Sequence, residues 1–326
     1  MSNYSGVFIF SEQVDGNIHK VSYELINKGK ELSDTLNEPL VVGILGSEGI
    51  DVQELIKRGA DKVYYLKNKK FEVPNIMAYK DALFDLIDEI SPKICLFGAT
   101  SFGRSLAPRV AVKLETGLTA DCTGLEIDKE DASLVQIRPA FSENILAHIK
   151  TDTFPQCATV RYKEFSEAPR NPDREGEVIE REYKFDRDYS LDVVEKLHEQ
   201  SIDITEAPVI ISGGRGLDTH DDFETLQELA DLLGGEIGAS RDIVEEGFIS
   251  KEYQVGYSGN RVKPKLYIAC GISGAPQHIA GMQDSEVIIA INSDPSAPIF
   301  EVADYGIVGD WKEVVRSLID KLKPAS

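Results

Sequence analysis

The run Val287-Ile288-Ile289-Ala290-Ile291 is apolar at every position, and Ile94-Cys95-Leu96-Phe97 and Leu266-Tyr267-Ile268-Ala269 come close to it. A strand that fails to alternate is covered on both faces, as happens in parallel sheets with helices packed on each side. Further β-rich runs recur at 7–10, 40–45, 62–66 and 209–211. Between them lie amphipathic stretches. Residues 19–36 carry Val21, Leu25, Ile26 and Leu32 at helical spacing, residues 77–90 carry Ala78, Leu83, Leu86, Ile87 and Ile90, and residues 223–233 carry Phe223, Leu226, Leu229, Ala230 and Leu233. Residues 52–56, 106–114 and 311–322 complete the helical set. Strands and helices alternating at this spacing predict βαβ units and an α/β fold with a mostly parallel sheet.

The alternation breaks once. Residues 125–127, 134–137, 145–149 and 158–160 read as consecutive short strands, an antiparallel appendage or an extension of the first sheet. Residues 164–188, rich in charge and holding Pro169 and Pro172, suit an exposed connection, followed by a short helix over 191–200. A second βαβ series starts at Pro208. For a chain of 326 residues this predicts two domains, an N-terminal α/β domain over residues 1–200 and a C-terminal doubly wound parallel sheet over 201–326.

The net charge of −21, from 35 basic and 56 acidic residues, argues against nucleic acid or an anionic membrane as partner; it suits a solvated acidic surface with no specific target, and secondarily one that steers a basic protein surface. No apolar run is long enough for membrane insertion, and the first residues lack the basic segment of a secretory signal. Cys95, Cys122, Cys157 and Cys270 lie far apart, which predicts reduced thiols in a cytoplasmic protein rather than a zinc site or disulfide framework.

Glycine and small polar residues gather where the second-half strands should end, the place at which open α/β sheets bind ligands. Ser212-Gly213-Gly214-Arg215-Gly216 follows a strand, but Thr219 stands where G-x-G-x-x-G requires its third glycine, which disfavours a nicotinamide dehydrogenase. Arg215 suits either a phosphate partner or a solvated surface position. In Gly238-Ala239-Ser240-Arg241, Ser240 can cap a short helix over 241–246, with or without an anion on its N–H groups. The glycines of Val255-Gly256-Tyr257-Ser258-Gly259 allow close approach to a flat ligand or a tight hairpin turn. From Cys270 to His278, a buried strand runs into a glycine loop, Ser273 or Gly274 caps, and Pro276 opens a helix aimed at a diphosphate. Gln277 and His278 add hydrogen-bonding groups one turn in. Asn292-Ser293-Asp294-Pro295 and residues 304–310 follow, each also readable as a turn. No nucleophile–base pair or metal-ligand set stands out. The pattern suits a chain that holds a large phosphorylated cofactor and offers no catalytic side chains of its own.

In this order, SGGRG, GASR, QVGYSG, GISGAPQHIAGM, AINSDPSAPIF and VADYGIVGD make the chain similar to the alpha subunit of electron-transfer flavoprotein. The first half agrees more loosely, at Gly98-Ala99-Thr100, Gly103-Arg104 and residues 117–122. The resemblance implies a heterodimer with an electron-transfer flavoprotein beta subunit, in which the N-terminal domain serves assembly and the C-terminal domain binds FAD. It implies FAD contacts from Arg215, Ser240 and Arg241, and a flavin ring bordered by Val255, Gly256, Tyr257 and Ser258. Ser273, Gly274, Ala275, Pro276, Gln277 and His278 would bind the diphosphate and pyrimidine edge, and Asn292, Asp310 and Trp311 the adenosine end. The family's usual Gly-Gln-Thr-Gly loop reads Gly256-Tyr257-Ser258-Gly259 here, keeping a hydroxyl but replacing an amide with a ring. The implied function is an electron carrier between flavoprotein dehydrogenases, such as acyl-CoA dehydrogenases, and other acceptors or donors, as a shuttle or in an electron-bifurcating complex with NADH and ferredoxin. The competing expectation is a nucleotide-sensing regulatory module without redox turnover.

Overall fold

In the first strand, Val7 and Ile9 pack into one apolar layer while Phe8 and Phe10 pack into another, and all four are buried. That division requires helices on both faces of a sheet. The computed structural model describes residues 4–140, 142–189 and 203–323 and divides the chain into two compact units, Met1–Val193 and Val194–Ser326. The helix expected over 191–200 and the boundary expected at 200 fall outside the described residues.

The first unit contains β1 (Val7–Ser11), β2 (Gln13–Val14), β3 (Asn17–Ile18), α1 (Val21–Leu36), β4 (Leu40–Gly46), α2 (Gln53–Lys57), β5 (Lys62–Lys67), α3 (Ile76–Ile90), β6 (Ile94–Gly98), α4 (Ser101–Lys113), β7 (Leu118–Cys122), β8 (Gly124–Ile127), β9 (Leu134–Ala140), β10 (Ser142–Ile149), β11 (Gln156–Val160) and β12 (Glu177–Glu182). Seven strands form a parallel sheet in the order β12-β5-β4-β1-β6-β11-β7. Helices α1 and α2 cover one face, α3 and α4 the other. The four expected short strands divide between the two expectations: β11 extends the parallel sheet, next to the unexpected β7, whereas β8, β9 and β10 form an antiparallel appendage.

Two expectations need correction. Residues 164–188 are not simply a connection, because β12 lies within them and pairs with β5 as an edge strand. Its sequence, Glu-Val-Ile-Glu-Arg-Glu, is polar because it is largely exposed, which hid it among charged loop residues. Helix α4 begins five residues before the expected 106, with the Thr100 hydroxyl accepting from the Gly103 N–H at 2.9 Å. Gly103 weakens the helical pattern there, yet a Cβ on it would strike the Gly98 carbonyl, so the tight packing requires glycine.

The second unit comprises β13 (Val209–Gly213), α5 (Asp222–Leu233), β14 (Glu236–Ala239), α6 (Arg241–Glu245), β15 (Leu266–Cys270), α7 (Pro276–Ile279), β16 (Ile288–Asn292), β17 (Tyr305–Val308) and α8 (Trp311–Leu322). Its sheet is wholly parallel, ordered β14-β13-β15-β16-β17. The chain moves outward from β13 to β14, then returns past its starting strand to β15. That reversal leaves a crevice at the carboxyl ends of β13 and β15. Helices α5 and α8 bury Phe223, Leu226, Trp311, Val315 and Ile319 on one face. The other face is covered mainly by loops and short helical turns around Val255, Val262, Met282 and Ile299.

Candidate functional site

Loops leaving the carboxyl ends of all five strands build one site at this crevice. Those of β13 and β15 are locked together: the Gly214 N–H donates to the Cys270 carbonyl at 2.9 Å and the Gly216 N–H to the Gly271 carbonyl at 3.0 Å. A Cβ on Gly216 would lie 2.8 Å from the Gly271 Cα, so only glycine permits this approach.

Two adjoining cavities open beside the locked loops. The first, about 320 Å³, is lined by Arg215, Ser240, Arg241, Gln254, the 255–258 segment, Ser273, Ala275, Gln277 and His278, among others. The second, about 360 Å³, includes Arg215, Gly216, Ser273, Asn292, Ser293, Asp310, Trp311 and Lys312. Arg215, Asp242 and Ser273 line both and mark the waist between them. Of the residues expected at the site, Gly274 and Pro276 line neither cavity. Gly274 has φ +91° and packs so tightly on Ile299 that a Cβ would lie 2.3 Å from its backbone nitrogen, so it shapes the loop.

Several local expectations change. The cap of α7 is Ala275, not Ser273 or Gly274, because the left-handed turn at Gly274 must finish before Pro276 can start the helix. Ser240 occupies the cap position of α6, but its hydroxyl makes no capping bond. Its Oγ is buried without a partner, in a residue that lines the first cavity. A buried hydroxyl of this kind is costly unless something else satisfies it. The 255–258 segment is a tight loop rather than a hairpin: Val255 N–H donates to Ala239 and Tyr257 N–H to the Gln277 carbonyl at 2.7 Å. Gly256, at φ +148°, faces that same carbonyl, and the Tyr257 ring is 62% exposed beside the Arg261 guanidinium.

The charges are paired. Arg241 Nε lies 2.7 Å from Glu245, and Arg215 lies 3.0 Å from Asp242. Both carboxylates belong to α6, and sequence reasoning passed over them along with Gln254, whose amide donates to Ser258 Oγ at 3.2 Å. Arginine spacing marked the cations. The i,i+4 offset from Arg241 to Glu245 was the available signal for that partner.

His278 is 6% exposed, with Nε2 2.9 Å from the Tyr267 hydroxyl. Its Nδ1 is buried and finds no hydrogen-bond partner among the described residues. Burial pushes the imidazole pKa down to about 4, so the ring is neutral near pH 7. Three other expected residues are engaged by the protein itself. Asn292 donates to the Ile272 carbonyl at 2.8 Å, the Trp311 indole donates to the Gly216 carbonyl at 2.8 Å, and Asp310 caps α8 through the N–H groups of Lys312 and Glu313.

The donor set fits FAD. A two-lobed groove with guanidinium and hydroxyl groups at its waist suits an elongated molecule whose charge lies in its middle, and Ser240 Oγ is a buried group in want of a partner. Among the described residues no three metal-ligating side chains converge and no helix is long and apolar enough to cross a membrane.

Comparison with known proteins agrees with this fit. The family model described as "Electron transfer flavoprotein domain" matches residues 7–185, and that described as "Electron transfer flavoprotein FAD-binding domain" matches residues 203–283. The chain is 46% identical to the electron transfer flavoprotein subunit alpha of Clostridium acetobutylicum, covering 100% of this chain and 99% of that one. It is 43% identical to the lactate dehydrogenase (NAD(+),ferredoxin) subunit LctC of Acetobacterium woodii, covering 99% and 78% respectively. It is 37% identical to the acryloyl-CoA reductase electron transfer subunit beta of Anaerotignum propionicum, covering 99% and 97%. The chain therefore belongs to the electron transfer flavoprotein alpha-subunit family, and its cofactor is FAD.

Proposed function

We propose that this chain is the FAD-holding half of a heterodimer with an electron transfer flavoprotein beta subunit, carrying electrons between a flavoprotein dehydrogenase and a second redox protein in the cytoplasm. The two-lobed groove at the strand ends, within the unit that carries the FAD-binding match, is the observation that carries this reading. FAD supplies a ring that accepts and returns electrons. The protein's own part is binding and electrostatics. Arg215 and Ser273 at the waist hold the diphosphate, Arg241 and the 255–258 loop border the ring, and the second cavity receives the adenosine end. Asn292, Asp310 and Trp311 act there mainly by fixing the loops that form its walls. Neutral His278 orients a hydrogen bond rather than contributing a charge.

Within this reading we favour work in an NAD- and ferredoxin-linked complex, because the Acetobacterium woodii relative is named for those two partners. Copurification with the beta subunit, followed by counting flavin per heterodimer, tests both levels. About two FAD per heterodimer supports the bifurcating form, and one supports a simple shuttle to an acyl-CoA or similar dehydrogenase. A complex that binds flavin but is reduced by no dehydrogenase would favour a nucleotide-sensing module instead.

A further inference from the structure

We infer that Asp242 competes with the cofactor's diphosphate for Arg215, and so sets how loosely this chain holds FAD. The inference rests on the FAD reading of the groove. FAD has its two negative charges in the middle of the molecule, between ring and adenosine, and the middle of this groove is the waist. Among the described residues, only Arg215, Asp242 and Ser273 line both cavities. One of the three is an acid, placed where an anion is to bind.

The acid is not idle. Asp242 Oδ2 lies 3.0 Å from Arg215, with the two side chains 51% and 73% exposed. An ion pair that open to water is weak and readily exchanges partners. The other arginine is engaged too, Arg241 pairing with Glu245 on the same short helix at similar exposure. The four side chains sum to zero. A diphosphate entering the waist therefore gains the Arg215 cation by drawing it away from Asp242, and it remains near a carboxylate that repels it. The geometry makes Asp242 a positioning residue that acts through Arg215, and it lowers affinity.

The test uses the purified heterodimer, stripped of flavin and titrated with FAD at about 0.01 M and about 0.5 M salt. Asp242→Asn should bind FAD about three- to tenfold more tightly at the lower salt, and the gain should shrink at the higher, because screening weakens exposed charges. Asp242→Glu should behave like the parent. In an Arg215→Ala background the same Asp242→Asn change should gain less. Equal or weaker binding by Asp242→Asn, or a gain indifferent to salt, overturns the competition. A parent complex that takes up no FAD overturns the FAD reading itself, so the two failures are distinguishable.

Discussion

At the scale of single residues, the cations of the site were legible and their partners were not. A glycine loop carrying Arg215 announces an anion, whereas its pairing with Asp242 depends on how α6 turns toward the loop of β13; Arg241 and Glu245 pair within α6 itself. With Arg241 beside the flavin ring, as proposed, its pairing with Glu245 should have a measurable effect on the flavin, because Glu245 would offset part of that positive charge. Glu245→Gln should raise the flavin midpoint potential and Arg241→Ala should lower it, each by some tens of millivolts, a tenfold change being about 30 mV for two electrons. Spectroelectrochemical titration of the variants checks both directions. His278 gives a second residue-scale expectation. Its folded pKa of about 4 lies below the ordinary value of 6.5, so its contribution is complete above pH 6.5 and is lost as pH falls through the interval to 4. The loss is at most roughly 3 kcal/mol, and His278→Gln should flatten the acid side of the stability–pH curve in urea unfolding.

At the scale of elements, periodicity located what is buried and missed what is marginal. The doubly covered strands β6, β15 and β16 and helix α8 lie within about a residue of where the sequence puts them, because burial writes itself into an unbroken apolar pattern. Strands β14 and β17 read only as glycine clusters. Each is four residues long and forms an edge of its sheet, and β17 is exposed along its whole length. Short edge strands owe their conformation to a neighbour's ladder, and that information lies elsewhere in the chain. Glycine tests the element that turns into α7. Gly274→Ala combines φ +91° with a Cβ 2.3 Å from Ile299 N, and should cost about 2 kcal/mol or more and loosen FAD. Gly309→Ala meets nothing within 4 Å and should stay within about 0.5 kcal/mol of the parent. Denaturant midpoints of the pair separate a cradle that requires glycine from a loop that merely contains one.

On the scale of the whole molecule, one buried group in each unit responds to pH, and the two responses have opposite sign. In the first, Glu24 on α1 is buried and accepts the Lys163 N–H at 2.9 Å. Burial raises its carboxyl from 4.5 to about 8. The folded state thus binds the extra proton, and the stability tied to Glu24 is complete below pH 4.5 and lost as pH rises through 8. Thermal unfolding from pH 5 to 9 should show this decline, with Glu24→Gln removing its share. The contribution of His278 in the second unit weakens toward acid instead, so these two contributions offset each other between about pH 4.5 and 6.5 and their sum declines above that. The locked loops of β13 and β15 also bear on how the site is built. Their paired backbones form a riveted floor, with Trp311 bolted to the same strip through Gly216. Against that fixed floor stands α6, five residues long with Ile243 buried beneath it. It carries both acids that pair with the arginines of the groove, so the charge balance at the waist is set by a single turn of chain.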